Sequence, residues 1–219
     1  METLDDEIYQ SEKKGYTIRP GKANLLYLAL SVGIVYSLSQ SFAPALDSVF
    51  NLNRGAKSFL FIPVLVSAVM VSWELVRYFR FYHMKWAGDL TLALLVFEAL
   101  NYLDEILALP MEIEGVSWIK TGIGFILLIL TFFWVIFVLR KSNWKGQLRA
   151  YSWLRSYAWI NIANMVISVL GVALLYYFYL VIDSSGEGYL ETLPLLSLLA
   201  VPPYVLLIFF FKELKSPEE

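Results

Sequence analysis

Six stretches of roughly twenty predominantly apolar residues run through this chain, each long enough to cross the hydrocarbon core of a bilayer as a helix. They cover approximately 24–42, 58–78, 84–107, 119–139, 152–182 and 190–211 of the 219 residues. In lipid, backbone polar groups must be satisfied without water, which a helix does within one segment. The expected fold class is therefore all-α: a polytopic integral membrane protein of six transmembrane helices. The expected organisation is a polar cytoplasmic tail over 1–23, a single six-helix domain over 24–211, and a short cytoplasmic tail over 212–219. Composition agrees, with 58% hydrophobic and only 16% charged residues, where soluble domains carry about 25% charged.

The basic residues give the bundle a direction, because short cytoplasmic loops are enriched in Lys and Arg. With the N-terminus inside, 14 of the 17 basic residues fall on the cytoplasmic side, and only Arg54, Lys57 and Lys120 fall outside. Two outer loops are acidic, carrying Asp104, Glu105, Glu112 and Glu114, then Asp183, Glu187 and Glu191. An even number of spans then returns the C-terminus to the cytoplasm. Aromatic clusters at 78–86, 151–159 and 176–179, with Trp118, read as interfacial anchors.

Several function classes fall away on residue counts. With no cysteine, the chain has no thiol redox chemistry, thiolate ligation or cysteine nucleophile. A single histidine, His83, cannot build a bis-histidine haem or a multi-histidine metal site, and its Tyr-His-Met-Lys setting reads as a solvated turn. Gly122 and Gly124 lie in an apolar run, and Gly186 and Gly188 lie in an acidic loop. Neither pair makes a phosphate-cradling loop. With no nucleophile elbow or metal-binding pair either, the expectation is no catalytic residue, no metal and no cofactor. The formal net charge of −2, without a basic block, gives nucleic-acid binding no electrostatic support.

The helix faces carry the positive information. Ala29, Gly33, Ser37 and Ser41 recur every four residues in the first span, a ridge that admits a close helix neighbour, either within the chain or in another subunit. In the third span, Thr91, Glu98 and Glu105 share one line at about 100° per residue, flanked by Asn101. Glu98 lies about 12 residues, or roughly 18 Å, from Trp86, near mid-membrane. A lipid-facing carboxylate there costs about 2.5 kcal/mol or more, so it is expected to face protein or a watery interior. There it either serves a cation, proton or ligand pathway or simply ties neighbouring helices together. Asn161, Asn164 and Ser168 form a stripe on the fifth span that is a plausible partner face. Pro63 in the second span and Pro202-Pro203 in the sixth are expected to bend or break their helices. Glu74, Arg77 and Arg80 read as an ion pair or lipid-phosphate contact at the membrane edge.

The leading expectation is a small channel or transporter with a polar pathway built from Glu98, Asn101, Glu105, Asn161, Asn164 and Ser168, beside the helix break at Pro202 and Pro203. The alternative is a non-catalytic anchoring or scaffold subunit. The partners expected are the lipid bilayer and either further copies of the chain or other membrane subunits.

Overall fold

A computed structural model of the chain describes residues 15–41, 54–106, 114–140, 148–181 and 198–216. Of these, 92% are helical, and the described residues form no strand. The helices are α1 (Pro20–Ser41), α2 (Arg54–Phe81), α3 (Lys85–Ile106), α4 (Glu114–Arg140), α5 (Leu148–Val181) and α6 (Val201–Leu214). Each falls on one of the six apolar stretches. The apolar run fixes where a helix forms, because intrahelical hydrogen bonding is the local way to satisfy a backbone whose side chains hold few polar groups.

Three of the six are long and apolar enough by themselves to cross a membrane: Pro20–Ser39 in α1, Ile62–Phe81 in α2 and Thr121–Arg140 in α4. The others differ for visible reasons. α3 carries Asp89, Glu98, Asp104 and Glu105, and the α-helix of α6 is 14 residues long. Large apolar side chains nevertheless cover much of the outer surface, including Leu28 at 63% and Phe125 at 64% exposed. In water such a surface would be a large association hazard.

The principal packing partners run in chain order, α1 with α2, α2 with α3, α3 with α4, α4 with α5 and α5 with α6, and α6 then returns to α1. The helices therefore close into a ring. Neighbours alternate in direction. Lys22 at the start of α1 meets Glu74 near the end of α2. Trp86 at the start of α3 stacks on Phe137 near the end of α4, and the Tyr151 hydroxyl at the start of α5 donates to the Val138 carbonyl. One end of the ring thus gathers the starts of the odd helices and the ends of the even ones, together with Arg77, Arg80, Lys85, Arg140 and Lys212; it is called the basic end below.

Ring closure explains the ridge on α1. Its neighbours lie within the chain, and a Cβ added at Gly33 would sit 2.7 Å from the ring of Tyr204 on α6. Glycine is required there so that the tyrosine ring can approach the α1 backbone. Ala29 and Ser37 on the same ridge are also buried.

A plug of aromatic side chains fills the basic end. Tyr78 meets Tyr16, Phe79, Tyr82 and Phe210 in edge-on contacts at 4.9–5.8 Å between centroids, a favoured aromatic geometry. Tyr78 and Phe79 are fully buried, which corrects their reading as interfacial anchors. A helix-end aromatic reads as a belt residue from sequence because the strap that covers it is remote in the chain. Trp86, Trp118 and Trp159 do remain exposed.

The strap is the segment just before α1, expected to be part of a solvated tail. Instead Ile18 pairs with the end of α6, its N–H donating to the Leu214 carbonyl at 2.8 Å and its carbonyl accepting from Ser216 at 3.0 Å. Ile18 and Tyr16 are buried, and the Tyr16 N–H donates to the Tyr82 hydroxyl. The polar-tail reading therefore fails for these residues, because two apolar side chains find a groove that only the assembled ring provides; residues 1–14 lie outside the described residues. His83 occupies an exposed turn with φ 55°, in line with its solvated-turn expectation.

The prolines act differently at the two positions. Pro63 is accommodated within continuous α2. Pro202 and Pro203 lie in the first turn of α6, after a 3-10 turn over 198–200, rather than near the middle of a longer helix. The first turn tolerates them because its N–H groups have no intrahelical acceptor.

Candidate functional site

Inside the ring is a cavity of about 520 Å³ to which all six helices contribute. Each helix supplies one stripe at helical spacing: Ala29, Leu30 and Gly33 from α1, Val64, Ser67 and Val71 from α2, and Leu127, Thr131 and Trp134 from α4. From α3 come Thr91, Leu94, Leu95, Glu98 and Asn101, and from α5 Tyr157, Asn161, Asn164 and Ser168. Pro203, Tyr204 and Leu207 of α6 complete the wall. The aromatic plug lies next to its lower layer of Leu75, Trp134 and Leu207.

Five of the six side chains expected to share a polar pathway, Glu98, Asn101, Asn161, Asn164 and Ser168, line this one cavity. The side chain of Glu105 lies outside the described residues. α3 and α5 are not principal packing partners; α4 stands between them in the ring, and both turn a polar stripe to the cavity. Position in a closed ring therefore brings their polar stripes to one space.

The hydrogen bonds of the lining follow one pattern. Ser67 donates to the Pro63 carbonyl at 2.7 Å, Thr91 to the Ala87 carbonyl at 2.7 Å, and Thr131 to the Leu127 carbonyl at 2.8 Å. Hydroxyls in an apolar helix satisfy their proton on the preceding turn in this way. Thr91 Oγ1 also accepts the Trp134 indole N–H at 2.8 Å, joining α3 to α4. Asn161 donates to the Tyr157 carbonyl at 2.8 Å.

Asn164 explains how the helix break is tolerated. Its amide donates to the Leu199 carbonyl at 2.5 Å. Leu199 stands four residues before Pro203, which has no N–H to offer that carbonyl. An unsatisfied carbonyl in an apolar interior costs free energy, and the α5 amide supplies the missing donor. Asn164 is therefore a clamp between α5 and the start of α6 as well as a wall residue.

Glu98 stands apart from these groups. Among the described residues it makes no hydrogen bond or ion pair, and the polar groups in electrostatic range are the phenols of Tyr157 and Tyr204. It is the only acidic side chain among the lining residues described, and none of these is Lys, Arg or His. No group of three or more potential metal ligands occurs among the described residues.

Sequence reasoning missed Ser67, Ser72, Thr131, Trp134 and Tyr204 as wall residues. Thr131 carried a usable signal, being the lone hydroxyl residue in the apolar run 123–139. Tyr204 carried none, since only ring closure brings it against Gly33. It also missed two of Glu74's partners, Lys22 and Tyr16, though it expected Arg77. The buried Glu74 carboxylate pairs with Lys22 and accepts from the Tyr16 hydroxyl at 2.5 Å, with Arg77 at 3.8 Å. Tyr16 titrates well above the ordinary tyrosine value, first because burial disfavours the phenolate and then because Glu74 accepts its proton. Comparison with protein-family models, with curated proteins and with solved structures gives no match for this chain.

Proposed function

We propose that this chain is a six-span membrane transporter with both ends in the cytoplasm, and that its substrate, a cation, proton or small solute, occupies the cavity beside Glu98. The observation that carries the reading is a carboxylate, without a hydrogen-bond or ion-pair partner among the described residues, on the wall of an interior space of about 520 Å³. A carboxylate serving only as a strut between helices would be expected to engage a neighbouring donor, because an unpaired buried polar group is costly. A group kept unpaired at a functional position retains its capacity for a solute.

The apolar exterior supports membrane embedding, and the gathering of basic side chains at one end supports the orientation. The aromatic plug at that end favours an alternating-access carrier over a continuously open channel, since a conducting state requires the plug to move.

The same plug is the observation that favours the second reading, a scaffold or anchoring subunit whose interior never opens. Reconstitution into liposomes separates the two. The transporter reading expects uptake of a cation, proton or small solute that falls on Glu98→Gln substitution. Intact liposomes with no flux of any of these would overturn it in favour of the scaffold, and flux indifferent to Glu98→Gln would overturn the placing of the pathway beside Glu98.

A further inference from the structure

From the charge and size of the cavity, we infer that the occupant is an organic ammonium ion with an apolar body. The inference rests on the reading of the ring interior as a solute site and adds the chemical class.

Charge comes first. Glu98 is the only acidic side chain among the lining residues described, and these include no Lys, Arg or His. An anion entering this space would be desolvated beside a carboxylate without any cationic partner. A cation entering it pairs with Glu98, and each ion offsets the other's lost hydration.

Hydrogen bonding points the same way. The Ser67 and Thr131 hydroxyl protons, and one amide proton each of Asn161 and Asn164, are already committed to backbone carbonyls. Their oxygens remain as acceptors, because a hydroxyl or amide oxygen still has lone pairs after its proton is donated. A carbonyl acceptor also fixes which end of each Asn amide is the nitrogen. The wall therefore offers an ammonium group a carboxylate and neutral acceptors, alongside donors that remain on Asn101, Ser168, Tyr157 and Tyr204 and the second amide proton of Asn161 and Asn164.

Size and apolarity exclude the simplest cations. A space of about 520 Å³ falls in the range of small-molecule sites, roughly 300–1,000 Å³, far larger than a dehydrated inorganic ion needs. A hydrated inorganic ion could use the polar part of the wall but makes no use of its Leu, Val and Ala side chains. An amine carrying an apolar group uses both kinds of wall. Tyr157 and Tyr204 also line the cavity, and an aromatic ring beside a cation adds attraction.

The test uses the full chain in lipid nanodiscs and three probes of nearly equal shape: tryptamine as cation, tryptophol as neutral alcohol and indole-3-acetate as anion, measured by calorimetry. Tryptamine is expected to bind more tightly than tryptophol by about tenfold or more, the scale of a charge-assisted hydrogen bond, and indole-3-acetate is expected not to bind. Glu98→Gln is expected to bring tryptamine down to the tryptophol level without altering tryptophol.

Equal binding of tryptamine and tryptophol, or binding of the anion, overturns the inference on the wild-type chain alone, so the result does not depend on how the variant folds. Absence of tryptamine binding with Glu98-dependent flux of K⁺ or protons in liposomes overturns the ammonium class while leaving the transporter standing. Selective tryptamine binding without any flux supports the ammonium site and removes the transporter.

Discussion

Two carboxylates of the ring, Glu74 and Glu98, stand in opposite surroundings. Glu74, at the basic end, is enclosed by Lys22, the Tyr16 hydroxyl and Arg77. Glu98, in the cavity, has no hydrogen-bond or ion-pair partner among the described residues. The first closes an end of the molecule, binding the strap and α1 to α2. The second borders the central cavity. Burial alone therefore does not distinguish a structural acid from a functional one; the completeness of its partners does.

The contrast breaks most severely if the plug is cut. Phe210→Ala removes a fully buried ring that contacts Tyr78 and Phe211. It is expected to cost about 3–5 kcal/mol, since surrounding rings collapse only partly into the space left. Chemical unfolding of the purified chain in mixed micelles measures the loss. A change under about 1 kcal/mol would mean that the aromatic end is not a tightly packed plug.

Removing a charge at the same end comes next. Lys22→Met leaves Glu74 buried with a weaker set of partners and is expected to cost about 2 kcal/mol, below the ~3–5 of a fully buried pair because Lys22 is partly exposed. Adding Glu74→Gln to this variant should recover part of the loss. A double-mutant cycle reads the coupling, and simple additivity would dissolve the pair.

Tyr16→Phe deletes a hydrogen bond to a charged acceptor, expected to cost about 1.5 kcal/mol. It also has a pH signature. Because the folded-state value of Tyr16 is raised above the ordinary value of 10.0, its contribution is fully present below about pH 10. That contribution is lost as pH rises beyond this through the folded-state value. The gap in unfolding free energy between wild type and Tyr16→Phe should therefore be constant from pH 7 to 9 and narrow above 10. A gap that widened at high pH would contradict the Tyr16–Glu74 bond.

The smallest expected effect on stability is at the other carboxylate. Glu98→Gln breaks no bond among the described residues and should shift unfolding by no more than about 0.5 kcal/mol, with stabilisation as acceptable as loss. A cost above about 2 kcal/mol would reveal a strut and erase the difference between the two acids.

Much of this was legible in the chain itself. The six helices follow from runs of apolar residues, and the α3 and α5 stripes follow from 3.6-residue periodicity, which also singled out Glu98, Asn161 and Asn164. Partners separated in sequence were not legible. The pairing of Lys22 with Glu74 spans 52 residues, and that of Asn164 with Leu199 spans 35. No local pattern encodes either. The strap was misread for the same reason, as Tyr16 and Ile18 look like tail residues until α2 and α6 form the groove that buries them.

By itself, then, the sequence determined which segments are helical, which face of each is polar and where the basic side chains lie, because these depend on hydrogen bonding and hydrophobicity within one helix. Only the tertiary structure decided that α6 returns to α1, leaving a space inside where one acid has no partner among the described residues while another is enclosed. Ring closure depends on fit between distant surfaces, such as Gly33 against Tyr204, and that fit exists only once both helices are in place.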